Sequence, residues 1–243
     1  MYIIKLNAID STNSYLKAMA SVNLPKDFTV VVADHQTQGR GQMGTTWQTE
    51  DGKNLTASVF KVFGFVDVEK QFYISMAVAL SICKALDILK ISQLSIKWPN
   101  DILSANKKIC GTLIENVIKQ NQLKGSIIGF GLNVNQKYFD NLPKASSMSL
   151  LTGVVYNKDE VLSQILKQLQ YYFAILESKD YEKLKVEYES LLFRKDKPST
   201  FKNEDGTTFS GIIKGITETG KLNVWTEDDV IKTFDLKQVT LLY

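Results

Sequence analysis

The chain has 243 residues, 44% hydrophobic and 23% charged, with a formal net charge of +3. That composition describes a soluble globular protein able to bury a substantial core, and it lacks the one-sided basic clustering of a nucleic-acid binder. Two cysteines, Cys83 and Cys110, supply neither a disulfide framework nor a zinc spacing and read as buried thiols, and a single histidine, His35, gives histidine-based metal or serine-histidine chemistry little to work with. The N-terminus reads as a strand rather than a targeting signal, and no 18-residue apolar run appears, so a cytoplasmic protein is expected.

In chain order, Tyr2 to Leu6 is a predicted strand, and Asp10-Ser11-Thr12-Asn13 supplies capping residues for a helix with apolar positions at Leu16, Met19 and Ala20. Phe28 to Ala33 and Leu55 to Phe60 are two further strands, joined through a glycine-rich loop. Gln71 to Lys90 carries an apolar stripe at helical spacing (Phe72, Met76, Ala79, Leu80, Cys83, Leu86, Leu89) that must face a sheet. Leu94 to Lys97 ends at Trp98-Pro99-Asn100-Asp101, because proline cannot donate to a ladder; Lys97, Asn100 and Asp101 then share one rim. Ile102 to Leu103 and Ile109 to Ile118 form a hairpin, followed by a turn and a strand from Ser126 to Val134. Lys158 to Ser178 and Asp180 to Leu192 are helices. After Arg194 the pattern changes to short strands at Thr207 to Ile216, Lys221 to Trp225 and Val230 to Phe234, the signature of a small appended barrel.

The loop Gly39-Arg40-Gly41-Gln42-Met43-Gly44-Thr45-Thr46-Trp47 has three glycines in six residues, free to approach an anion with exposed amides. Only two of the 29 basic residues are arginines, and one of them, Arg40, sits here, as suits forked recognition of a carboxylate or phosphate. The spacing Gly39-x-Gly41-x-x-Gly44 matches a dinucleotide fingerprint, yet no helix opens on the last glycine and no acidic residue follows about 20 positions on. A nucleoside-triphosphatase loop would need lysine before Thr45, and kinase signatures are missing downstream.

Taken together, "DSTN", "GRGQMGTTW", "KWPND", "KKICGTLIE" and "GFGLNVN", in that order along the chain, resemble the biotin protein ligases. The resemblance implies an α+β fold: a mixed β-sheet flanked by helices, like a class II aminoacyl-tRNA synthetase core, over residues 1–194, and a small SH3-like barrel over 195–243. It implies activation of biotin by ATP with Mg²⁺ to biotinoyl-AMP, then transfer to a lysine of a biotin carboxyl carrier domain. Arg40, Lys108 and Asp101 become the expected catalytic residues, Asp101 orienting the attacking amine. Ser11, Thr12, Asn13, Gln36, Gly39, Arg40, Gly41, Lys108, Gly111 and Leu113 are expected around biotin, and Arg40, Gln42, Met43, Trp47, Lys97, Asn100 and Asn133 around the nucleotide. No protein-held metal is expected.

Repressor-type members carry an N-terminal helix-turn-helix segment, and because this chain starts on the first core strand, DNA binding is not expected; nor is a membrane partner. Pairing of two copies through a sheet edge is possible. Many members have arginines at the positions of Gln42 and Thr45, so looser retention of the adenylate is expected here. A lipoate or octanoate ligase or transferase of the same fold is the alternative enzyme, and a biotin sensor without transfer the alternative non-enzyme.

Overall fold

The computed structural model describes residues 1–64 and 66–243, with Met43 described by its backbone alone. Its main sheet comprises β1 (Tyr2–Ile9), β2 (Thr29–Gln36), β3 (Leu55–Val62), β4 (Leu94–Lys97), β5 (Asp101–Ser104), β6 (Lys107–Lys119) and β7 (Gln122–Leu132). The spatial order is β1-β2-β3-β7-β6-β5-β4. β1 and β2, joined by the helical crossover α1 (Thr12–Val22), run parallel, and every other pair of neighbours in this sheet is antiparallel.

Alternation along the strands divides the core in two. Val30, Val59 and Ile128 point to one face, where they meet the buried side of α2 (Phe72–Ile88) together with α4 (Lys158–Glu177) and α5 (Tyr181–Ser190). Their neighbours Val31, Phe60 and Ile127 point to the other face and pack under Leu16 and Ala20 of α1. A short α3 (Met148–Thr152), capped by the Ser147 hydroxyl and closed by left-handed Gly153, lies between β7 and α4 and was not expected from the sequence. The stretch Val68–Ile88 has the length and apolarity of a membrane-crossing helix, but most of it is buried in this core.

Five C-terminal strands form a second, antiparallel sheet where the sequence indicated three. They are β8 (Pro198–Asn203), β9 (Thr208–Ile216), β10 (Leu222–Thr226), β11 (Ile231–Phe234) and β12 (Val239–Leu242), in the order β11-β10-β9-β8-β12. β8 and β12 were missed because β8 is mostly polar, with Phe201 its one buried residue, and β12 is only four residues long. The sheet rests tightly on the core. A Cβ at Gly220 would come within 2.2 Å of the Phe72 ring, and Trp98 Nε1 donates to Gly220 O at 2.8 Å.

Leu86 is fully buried in α2, whereas Ile88 is 42% exposed two residues later. Leu86→Ala is expected to lower unfolding free energy by about 2–5 kcal/mol, and Ile88→Ala to stay within about 0.5 kcal/mol of wild type, both measured by urea denaturation.

Candidate active site

Past the N-terminus of α1, its face of the sheet loses its bulky side chains. Phe60 is followed two and four residues upstream by Ser58 and Thr56, and Ile127 is followed by Gly129 and Gly131. In register, Thr56 pairs with Gly131, Gly131 with Gly111, and Gly111 with Asp101. Those positions share one face because directly paired residues point the same way. The result is a cavity of about 260 Å³ on the α1 side, floored by glycine backbone and walled by α1, the glycine loop and the β5–β6 hairpin.

Lys108 reaches this face through a bulge. The β5–β6 register slips between Ile102 and Leu103, so the consecutive residues Ile109 and Cys110 both enter the apolar core and Lys108 joins Gly111 on the cavity side. The same burial pushes the Cys83 thiol up to about 12 and that of Cys110 higher still, leaving both inert.

A hydrogen-bond chain fixes the polar end of the cavity. Thr12 N donates to Gln36 Oε1 at 2.8 Å, the Thr12 and Ser58 hydroxyls lie 2.7 Å apart, and Ser58 Oγ donates to Asn13 Oδ1 at 2.6 Å. Asn13 Nδ2 donates in turn to Glu115 Oε2 at 2.9 Å. A Cβ at Gly129 would meet Asn13 Oδ1 at 2.2 Å, so only glycine admits this packing. Ser11 lines the cavity with its hydroxyl outside this chain.

Each cavity cation is held by a carboxylate that also faces a second cation, a lysine in both cases. Arg40 Nη2 lies 2.9 Å from Glu115 Oε2, and Lys17 Nζ lies 3.3 Å from Glu115 Oε1. Lys108 Nζ lies 2.7 Å from Asp101 Oδ1, and Lys97 Nζ lies 3.8 Å from Asp101 Oδ2. Burial pushes the Glu115 carboxyl up, but the Asn13 amide, Arg40 and Lys17 outweigh it and hold the group below the ordinary glutamate range. A carboxyl lowered on folding stabilises at and above its unfolded value and loses that contribution as pH falls through the lowered one, so this clamp is intact at neutral pH. Burial lowers the Lys97 ammonium, opposed by Asp101 and reinforced by Lys108 and Lys144.

The glycine loop is itself tightly folded. Gly41 N donates to Thr45 O at 2.7 Å and Trp47 N to Gly39 O at 2.9 Å, and Arg40 bridges Thr46. This brings the Trp47 indole down onto the glycine floor, where Cβ atoms at Gly131 and Gly111 would stand 2.3 and 3.1 Å from its ring. Lys108 Nζ sits 5.4 Å from the ring centroid, and indole Nε1 is buried with no hydrogen-bond partner among the described residues.

Of the residues named from the sequence, Ser11, Thr12, Asn13, Gln36, Arg40, Gly41, Gln42, Trp47, Asn100, Asp101, Lys108, Gly111 and Leu113 line this one cavity. Asn100 also pins the β4–β5 turn, its Nδ2 donating to Thr112 O at 2.8 Å. Gly39 lies behind the wall, against Trp47 O. Lys97 reaches the cavity only through Asp101. Asn133 is buried outside the lining, donating to Ser146 O at 3.0 Å. The side chain of Met43 lies outside the described residues. Sequence reading missed Ser58, Thr56 and the pairing of Arg40 with Glu115; the period-two placement of Gly111, Leu113 and Glu115 on one strand face was the available signal. Among the described residues no three His, Cys, Asp or Glu side chains converge as a metal site.

This fold is that of a known ligase class. The Biotin/lipoate A/B protein ligase family matches residues 6–133. The chain belongs to that family and is an enzyme. It is similar to the Bacillus spizizenii "Bifunctional ligase/repressor BirA", 28% identical over 238 residues, which cover 96% of this chain and 72% of that one. The Mycobacterium tuberculosis biotin–[acetyl-CoA-carboxylase] ligase is 30% identical over 163 residues, 66% of this chain and 59% of its own. Among solved structures, the Aquifex aeolicus biotin protein ligase in complex with biotin and ATP superposes with a TM-score of 0.81 at 27% identity, covering 99% of this chain and 98% of that one.

Gly131→Ala is expected to lift the indole off the floor. In a Trp98→Phe, Trp225→Phe background, where Trp47 alone emits, its fluorescence should shift to longer wavelength and become more open to acrylamide; an unchanged spectrum would contradict the stacking.

Proposed function

We propose that this enzyme is a biotin protein ligase acting in two steps. In the first, an oxygen of the biotin carboxylate attacks the α-phosphorus of ATP, the bond to the β-phosphate breaks, and biotinoyl-5′-AMP and pyrophosphate form. In the second, the ε-amine of a lysine on a biotin carboxyl carrier domain attacks the acyl carbon. The bond to AMP breaks, an amide that keeps one N–H forms, and the other proton of the neutral amine passes to solvent. A reaction of this kind, using ATP, Mg²⁺ and a carboxylase carrier domain, suits a cytoplasmic enzyme.

The observation that carries this reading is the pair of cations on opposite walls of a glycine-floored cavity, each matched by one carboxylate. Bringing a carboxylate onto a polyphosphate is mainly a problem of charge and position. Arg40 and Lys108 neutralise the two anions as they meet. Ser11, Thr12 and Gln36 present hydroxyl and amide groups for a polar ring. Trp47 with the Gly111–Gly131 floor suits a flat base. Asp101 holds the incoming amine in line for the second step, within residues 1–194, which we take as the catalytic unit. The loop from Gly39 to Trp47 shields the adenylate from water.

The test is mass-shifted biotin on an apo-carrier domain, expected only with ATP and Mg²⁺. Arg40→Ala and Lys108→Ala are each expected to slow labelling by about 10²-fold or more. Lipoate serving as well as biotin, or wild-type rates in both variants, would overturn the reading.

Gln42 lines the cavity beside the loop's single cation. Gln42→Arg is expected to slow escape of the adenylate about five-fold, measured as its dissociation into a trap; equal off-rates in the two proteins would count against the charge argument.

A further inference from the structure

We propose that Glu115 is a positioning residue that parks Arg40 in the substrate-free enzyme and yields it to the substrate's carboxylate. The proposal rests on the acid-activating reading above. Glu115 stands on β6, 75 positions from Arg40, so the contact ties the glycine loop to a strand of the main sheet. Its other partners belong to the scaffold. Asn13 is locked between Ser58 and the backbone of Gly129, and Lys17 projects from the next turn of α1.

This arrangement makes the exchange nearly symmetrical. When Arg40 turns to a ligand anion, Glu115 keeps the Asn13 amide and the Lys17 ammonium, so no carboxylate is stranded without a partner. When the ligand leaves, Glu115 recaptures the guanidinium and returns the loop to its folded position. Were Glu115 only a brace for the sheet, Asn13 and Lys17 would suffice, and nothing would require its second lone pair to face the loop. Because Arg40 remains 40% exposed at its side chain, a soluble anion can reach it and compete.

The competition has a measurable sign. Binding of biotin is compared with that of biotinamide, which lacks the charged carboxylate, in wild type, Glu115→Gln and Lys17→Met. Glutamine keeps an acceptor for Asn13 but removes the charge that competes for Arg40, so the preference for biotin over biotinamide is expected to widen about five-fold. Lys17→Met leaves Glu115 more dependent on Arg40 and is expected to narrow it. A brace would move both ligands together, and a preference unchanged in both variants overturns the proposal.

A second reading needs no ligand. Trypsin cleavage after Arg40, followed by mass spectrometry, is expected to be faster in Glu115→Gln than in wild type, because the scissile arginine is no longer parked. Equal cleavage overturns the parking whatever the substrate. Failure of all three proteins to bind biotin, with faster cleavage in Glu115→Gln, would defeat the biotin reading and leave the Arg40–Glu115 clamp standing.

Discussion

Where α1 stops covering the sheet, β3, β7 and β6 present Thr56, Ser58, Gly129, Gly131 and Gly111 in place of the Val31, Phe60 and Ile127 that fill the same face beneath the helix. The strands continue without interruption, so the backbone stays rigid while the side-chain layer drops away. A trough made this way needs no distortion of the sheet, and its walls are set by whichever residues border the gap. Asn13 against Gly129 and Trp47 against Gly131 show how little room is left: each approaches closer than any Cβ would allow. The glycines thus do two jobs, opening the trough and admitting the polar and aromatic side chains that shape it.

Charge is arranged with the same economy. Arg40 and Lys108 stand at the cavity already neutralised by Glu115 and Asp101, and those carboxylates have Lys17 and Lys97 in reserve. A partly exposed ion pair contributes up to about 1 kcal/mol, so replacing it with a ligand's carboxylate or phosphate is a small step in either direction. An unpaired buried cation would bind anions more tightly but would destabilise the empty fold by several kcal/mol. The paired arrangement keeps the groups oriented before substrate arrives, which is the condition for electrostatic stabilisation of a charged transition state.

Much of this was legible in the residues. The long helices and the antiparallel strands follow from apolar periodicity, and the polar strings at strand ends name most of the cavity lining. What stayed hidden has identifiable causes. Lys108 reaches the cavity face only because a bulge offsets it from Gly111, and spacing along a chain carries no mark of a bulge. Asn133 belongs to a glycine-bearing string that does border the cavity, yet two residues beyond Gly131 the chain turns away and its amide serves Ser146. Strings select neighbours in sequence, and alternation decides which of them share a face. Glu115 is a third kind of case: its place beside Arg40 depends on how the loop folds back, a contact across 75 residues. β8 and β12 lack the apolar alternation that marked the other three: β8 buries Phe201 alone among polar residues, and β12 is only four residues long.

The C-terminal sheet reaches the site through its last contacts with the core. Tyr243 lies between two ammoniums, with Lys144 Nζ 4.1 Å and Lys97 Nζ 5.3 Å from its ring centroid, and Phe193 packs edge-on at 5.1 Å. Lys97 is the same lysine that flanks Asp101, and Trp98 beside it donates to Gly220 of the β9–β10 turn. The short segment from Lys97 to Asp101 is therefore gripped from below by the C-terminal sheet and from the side by Asn100 bonding to Thr112. Its reserve cation, Lys97, rests against the Tyr243 ring, so the C-terminal segment touches the ion-pair network behind Asp101 without lining the cavity.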